Sequence, residues 1–354
     1  MRIRFITSTP LTAAQGSGTF AGIHTLARAL EALGVTIDLV TPRLRFPIYT
    51  LTRLWFNQRL LHQQHGPCDV TVGFDMDGYR VAGRSRTPHV ASIKGVIADE
   101  MRFERGLTRR TMALQAACER IHVRRAALVM TTSQYAARRL SELYGAGQIS
   151  IVPELIDLAG WQELFSGNPS QPDPGKFTVL CVCRFYPRKR LGLLLGAAAR
   201  LRGEIPGLEV RIVGGGPEAR RLHRIWRENR LQQTVRWLGD ISQSELAREY
   251  NRCDLFCLPS VQEGFGIVFL EAMAAGKPIV AARAAAVPEV LPQGLLVEPD
   301  NEQALAEAIH RLYREPALRS SLAETGRRVV AQFDAPQVAG LFLASLPQPS
   351  GCGG

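Results

Sequence analysis

Short apolar runs alternate along the chain with stretches whose apolar positions recur every three or four residues, which predicts strands alternating with amphipathic helices. RIRFIT reads as a first strand, Gly16-Ser17-Gly18-Thr19 as a glycine-rich turn, FAGIHTLARALEALG as a helix closed by Gly34, and VTIDLVTP as the next strand. Further strands are expected at 69–74, 89–93, 128–132 and 149–152, separated by helical stretches. The segment WQELFSGNPSQPDP, between Ala159 and Gly175, is rich in Pro, Gly, Ser and Asn, and the same alternation restarts after it. The second half runs FTVLCVCRF, a helix, EVRIVGGG, a helix, VRWLG, a helix, and DLFCLPS. This predicts two α/β domains, 1–160 and 174–334, each a doubly wound, mostly parallel sheet covered by helices on both faces. The simplest arrangement has them facing each other across a cleft. DAPQVAGLFLASL is expected to form a terminal helix over 335–347 that completes the first domain, with PQPSGCGG a loose tail.

Composition narrows the class. At 354 residues, 46% apolar and 21% charged, the chain supports two substantial cores and excludes a disordered protein. No apolar run has the length of a membrane span, and MRIRFITSTP lacks the features of a secretion signal, so a cytoplasmic protein is expected. The cysteines at 68, 118, 181, 183, 253, 257 and 352 show no paired zinc spacing and read as free thiols in a reducing compartment. No metal site is expected.

The net charge of +11 comes mostly from arginine, the lysines being Lys94, Lys176, Lys189 and Lys277 alone. Basic clusters at Arg109-Arg110, Arg120, Arg124-Arg125 and Arg138-Arg139 fall on expected helices. They are either solvated faces or a patch for anionic lipid, which would put the protein at the inner face of a membrane as a peripheral partner. The basic stretches lack interleaved aromatics, which argues against nucleic acid.

The densest chemistry lies in EGFGIVFLEAMAAGKPIVAARAAAVP, from Glu263 to Pro288. A glycine-bracketed loop enters a helix expected from about Ile267 to Ala275 and capped by Gly276, so backbone N–H groups and a positive helix end face any anion bound there. Glu271 could accept hydrogen bonds from a vicinal diol such as a ribose, and Glu263 could reach a second set of hydroxyls. In CRFYPRKR, Arg184 and Lys189 stand at a strand end as two cations for a diphosphate. Gly214-Gly215-Gly216 is a further strand-end turn. Surface carboxylates, an exposed basic loop and a plain tight turn are the structural alternatives, and the coincidence of all three at strand ends favours a site.

With these motifs in order, the chain resembles the retaining glycosyltransferases of family 4, which have the GT-B fold of two Rossmann-like domains. CRFYPRKR, VRIVGGGPEARRL, VRWLGDISQSELAREYNRCDLFCLPS, EGFGIVFLEAMAAGKPIVA and GLLVEPDNEQALAEAI carry the resemblance. It implies metal-independent transfer of a sugar from a nucleoside-diphosphate sugar to a hydroxyl acceptor with retained configuration, and no further cofactor. Arg184, Lys189 and Glu263 would be catalytic. Glu271 would hold the donor ribose, with Gly264, Phe265, Gly266, Gly16 and Gly18 around sugar and diphosphate. Two departures stand out. Lys94 precedes Gly95 where the family commonly has histidine, and Glu154-Leu155 replaces an asparagine-glycine pair while Asp157 is kept. Asp75, Lys94 and Glu100 are candidate acceptor-side groups, as are Asp77 and Asp99, with ordinary surface turns the alternative for the four carboxylates. A phosphorylase or epimerase on the same fold, or a binding protein for nucleic acid or anionic membrane, are the rival readings.

Overall fold

Runs such as VTVGF and FTVLCV carry β-branched and aromatic side chains without interior proline. They suit a pleated surface covered on both sides, and they become the inner strands of two sheets. A computed structural model of the chain describes residues 1–9, 18–64 and 66–347. Two compact units form, one of Met1–Leu155 with the residues from Ala335 onward, the other of Ile156–Asp334.

In the first unit β1 (Arg2–Ile6), β2 (Thr36–Val40), β3 (Val70–Phe74), β4 (His89–Ile93), β5 (Leu128–Thr131) and β6 (Ile149–Ile151) pair in the order β2-β1-β3-β4-β5-β6. Every pairing is parallel. Ile3, Phe5, Val70, Val72 and Phe74 are fully buried, and Phe5 meets Phe74 edge-on at 5.1 Å. The helix Gly18–Ala32 covers this core through Ile23, Leu26 and Leu30. The helix Ala335–Ser345 joins the same cluster through Val338, Ala339 and Phe342, whose three-to-four spacing gives it one apolar face.

The second unit contains β7 (Phe177–Val182), β8 (Leu208–Val213), β9 (Val235–Gly239), β10 (Leu255–Leu258), β11 (Ile279–Ala282) and β12 (Leu295–Val297). Their order is β12-β11-β10-β7-β8-β9, again wholly parallel. Two charged side chains of one strand, Glu209 and Arg211 on β8, are buried within this sheet. Arg211 on β8 donates to Glu249 at 2.8 Å and to Glu209 at 3.0 Å, so the guanidinium enters the interior with its counter-charges.

The change of unit falls at Leu155/Ile156, upstream of the boundary expected between 160 and 174. Residues Leu158–Gly167 form a helix whose first turn is capped by Asp157, the carboxylate accepting from Gly160 N at 2.9 Å. Trp161 on that helix is buried and packs edge-on against Tyr250, with ring centroids 5.9 Å apart. Leu164 and Phe165 pack on the same core, and Asn251 Nδ2 donates to the carbonyls of Phe165 and Asn168 at 2.9 Å each. Three apolar side chains at helical spacing thus outweigh the polar, proline-rich residues that follow them.

A fragment spanning 156–334 should unfold in one cooperative urea transition. A fragment starting at 174 should lose about 3–5 kcal/mol with the Trp161 contacts. Equal midpoints for the two fragments would show that the helix is an appendage.

Candidate functional site

In the second sheet the winding reverses between β7 and β10, since β8 and β9 extend one way and β11 and β12 the other. Crevices at such reversals lie beyond the carboxyl ends of the strands, where two loops diverge. Here the loop after β7 ends in a 3-10 turn, Pro187–Lys189, and the loop after β10 carries Ser260 to Gly266. The two loops are tied together. Val261 N donates to Arg188 O at 2.9 Å, and the Lys189 ammonium bonds the Glu263 carboxylate. Both partners of that ion pair are largely buried, with side-chain exposures of 12% and 8%. Burial pushes the Glu263 carboxyl up, but Lys189 and Arg188 together outweigh it and hold the group below the usual range, as an anion. Arg190 takes the left-handed conformation at φ 53° and opens the helix Leu191–Leu201, its guanidinium held by Asp300 at 2.6 Å.

Arg184, five residues upstream of Lys189, has a different setting. Its guanidinium is part-exposed and reaches the exposed Asp240 at 3.3 Å, a contact of the solvent-screened kind. The glycine turn after β8 explains how this loop is held. A Cβ on Gly214, whose φ is 112°, would fall 2.1 Å from Cys183 O, and one on Gly216 would fall 2.7 Å from Phe185 N. With no side chains in the way, Phe185 N donates to Gly215 O at 2.9 Å and Glu218 N to Phe185 O at 3.0 Å. Gly214 and Gly216 let one loop backbone lie directly on the other, fixing the stretch that carries Arg184.

Helix Ile267–Ala274 begins where the sequence predicts, with Gly266 at φ 97° before it. A side chain on Gly266 would strike the Phe269 ring at 2.6 Å. Phe265 is buried and meets Phe333 edge-on at 5.3 Å, so its backbone alone is free to serve a ligand. The helix ends at Gly276, with φ 63°, where Gly276 N donates to Met273 O and Lys277 N to Ala272 O. Glu271, on the helix, accepts a hydrogen bond of 2.8 Å from the Tyr250 hydroxyl. Burial pushes the Glu271 carboxyl up to about 7, more than the Tyr250 hydroxyl pulls it down. Tyr250 escapes sequence reading because it lies on the separate helix Gln243–Arg252, and no local spacing links it to Glu271. Of the four expected partners, Lys189 and Glu263 are in direct contact, whereas Arg184, upstream on the loop of Lys189, and Glu271, on the helix Ile267–Ala274, have partners of their own.

In the first unit Gly16 lies outside the described residues, and Gly18 opens its helix at an exposed position. The winding of this sheet reverses between β1 and β3, and there Asp77 accepts from Ser8 N at 2.7 Å, Ser8 Oγ at 2.6 Å and Asn57 Nδ2 at 2.9 Å. Asp77 and Asp99 are both wholly buried, which corrects their reading as surface turn residues. Asp99 accepts from the Tyr135 hydroxyl at 2.7 Å and from Arg139 at 2.9 Å. Each carboxylate crosslinks elements of the unit.

Lys94 is also buried. Its ammonium lies 3.1 Å from Glu154, the side chains being 6% and 5% exposed, so the two departures noted in the sequence are partners in one ion pair. Asp75 accepts from Lys94 N at 2.9 Å, and burial pushes its carboxyl up to about 6 against the pull of Arg53 and of that N–H. Glu100 lies against the backbone of Gly95, where an added Cβ would meet its Oε1 at 2.8 Å.

A family model described as glycosyl transferases group 1 matches residues 166–329. The chain is 33% identical over 206 residues to a D-inositol 3-phosphate glycosyltransferase of Pseudarthrobacter chlorophenolicus, covering 55% of this chain and 49% of that protein. It is 31% identical over 242 residues to a glycogen synthase of Mycobacterium tuberculosis, covering 64% of this chain and 58% of that one. The chain therefore spans about half the length of the curated relatives it matches. Among solved structures it is similar to a sucrose-phosphate synthase from Thermosynechococcus elongatus, with a TM-score of 0.81 and 23% identity over 97% of this chain and 100% of the other. That last likeness is one of fold, two parallel six-stranded sheets with flanking helices, the GT-B type.

Glu271 titrates higher when folded than unfolded, so the native state holds an extra proton between about pH 4.3 and 7. Its contribution to stability is complete below the unfolded value and lost as pH rises through about 7. Replacing it by Gln, which stays neutral, should raise stability at pH 8 by up to about 3–4 kcal/mol and change little near pH 4. Urea titrations at the two pH values check this, and equal shifts at both would rule out a buried titrating carboxyl.

Proposed function

We propose that the chain, whose residues 166–329 match the family model of glycosyl transferases group 1, is a retaining, metal-independent glycosyltransferase that moves a sugar from a nucleoside diphosphate to a hydroxyl acceptor. The observation that carries the reading is the Lys189–Glu263 contact at the reversal between β7 and β10, inside the matched segment. An ammonium there faces the charge that grows on a departing diphosphate. Arg184, open to solvent on the same loop, supplies a second cation with five N–H donors for phosphate oxygens. Two permanent cations give the neutralisation that a divalent ion gives in other phosphate sites.

Glu271 accepts hydrogen bonds from the ribose hydroxyls of the donor, oriented by the Tyr250 hydroxyl. The ionised Glu263 accepts from hydroxyls of the sugar, and the N–H groups of Gly264, Phe265 and Gly266 lie near sugar and phosphate. Gly16 and Gly18 of the first unit also serve the diphosphate. In the transfer the bond from the anomeric carbon to the diphosphate oxygen breaks, and the electron pair leaves with the nucleoside diphosphate. The acceptor oxygen bonds the anomeric carbon from the same face, and its proton passes to the diphosphate. Asp75, Lys94 and Glu100 serve the acceptor side, and the free thiols suit a cytoplasmic protein.

Thermal-shift screening against UDP, GDP, ADP and dTDP and their sugars should give one clear winner. Arg184→Ala should lower turnover by about 10²-fold or more with little loss of stability, because its partner Asp240 is exposed. Glu271→Ala should weaken nucleotide binding, and a chelator should leave the rate unchanged. Lys189→Ala is the poorer test, since it strands a buried carboxylate at a cost of about 3–5 kcal/mol. Wild-type turnover in Arg184→Ala, or nucleotide binding indifferent to Glu271→Ala, defeats the proposal.

A further inference from the structure

Exposed large apolar side chains are concentrated in one part of the first unit. Leu44, Ile48, Tyr49 and Leu51 are exposed in one segment, and Leu107, Leu114 and Ile121 in another, whereas the second unit exposes Tyr186 alone among the described residues. The second of these segments is the helix Gly106–Arg125. Leu107, Leu114 and Ile121 are seven apart and run along one line of that helix, since a seven-residue step returns to nearly the same direction. Leu107 is 73% exposed and Leu114 49%, an unusual cost to leave in water.

Arg110 and Arg124 flank the line and Arg109 and Arg120 lie further round the outer side of the helix, all four exposed. Arg109, Arg110 and Arg120 make no ion pair among the described residues. The one acidic residue of the helix, Glu119, is buried and holds Ile97 N and the Tyr144 hydroxyl, so the outer face carries no carboxylate. The neighbouring segment is joined to the helix by Gln115 Nε2 donating to Thr50 Oγ1 at 2.8 Å, and no acidic residue occurs between Asp38 and Asp69.

We propose that this face of the first unit docks on an anionic lipid bilayer. Arginines meet the lipid phosphates while their stems and the leucines enter the boundary of the acyl region, which satisfies both halves of a surface that water satisfies only in part. Charge complementarity selects anionic lipid, and the aliphatic character of the line selects a bilayer over a polynucleotide, which would call for aromatic platforms. The inference is independent of the donor chemistry proposed above.

The full chain should float with vesicles of equal parts phosphatidylglycerol and phosphatidylcholine and stay behind with phosphatidylcholine alone. The triple variant Arg109→Gln/Arg110→Gln/Arg120→Gln should weaken partition by about a hundredfold, each arginine being worth roughly fivefold near such a surface. Leu107→Ser/Leu114→Ser should lose the salt-resistant part of the binding. Both variants should keep the wild-type thermal shift with nucleoside diphosphate, which separates this outcome from any failure of the donor reading. Absence of flotation with anionic vesicles overturns the proposal, as does wild-type flotation of both variants. A wild-type dimer in sedimentation that the leucine variant converts to monomer, without vesicle binding, assigns the face to a second copy of the chain. Binding of polynucleotide in place of vesicles overturns it as well.

Discussion

The contact between the Lys189 ammonium and the Glu263 carboxylate organises the second unit at the point where its sheet reverses direction. Each partner would be costly to bury alone, and neither segment has a regular structure to hold it. Paired, they fasten the loop after β7 to the loop after β10, with Arg188 O receiving Val261 N alongside them. A buried pair of this kind adds little net stability over an apolar pair of similar shape. Its value lies in placing one cation and one anion at a fixed spot on the rim of the crevice.

The neighbouring features follow from that placement. Backbone lies on backbone where Gly214 and Gly216 meet Cys183 and Phe185, which leaves the loop carrying Arg184 little freedom. Phe265 is drawn into the core by Phe333, so the glycine-flanked loop presents main-chain groups. Glu271 is held by Tyr250 and not by a cation, and its raised pKa marks a carboxyl kept at a cost in stability. One carboxylate is neutralised and charged, the other unneutralised and poised near neutral pH. Two glutamates eight positions apart thereby acquire different chemistry from their surroundings.

The first unit handles buried charge in another way. Asp77 binds the end of β1 to the loop after β3 through Ser8, and Asp99 gathers Tyr135 and Arg139. Lys94 and Glu154 come from the loops after β4 and β6 and neutralise each other in the interior. Changing either position alone would leave a buried charge without a partner, which gives a physical reason for the two to depart from the family pattern together. The outer surface of this unit is the contrasting case, where arginines and leucines of helix Gly106–Arg125 lie open.

The strands, the helix at Ile267, its glycine stop and the alternation that makes two α/β units were legible in the chain, because hydrophobic period and turn chemistry are local properties. The residue types at the strand ends were legible for the same reason. Pairing was not. That Lys189 meets Glu263, that Tyr250 holds Glu271 and that Lys94 answers Glu154 depends on which strands lie side by side, and strand order is decided by the whole sheet. The unit boundary moved for a like reason, since a proline-rich composition predicted a linker while Trp161, Leu164 and Phe165 had a distant core to enter. The sequence by itself determined the elements and the chemistry they carry. The tertiary structure decided which charges are neutralised, which carboxyl titrates near neutral pH and which apolar side chains remain in water, because burial and distance between remote residues exist only once the chain is packed.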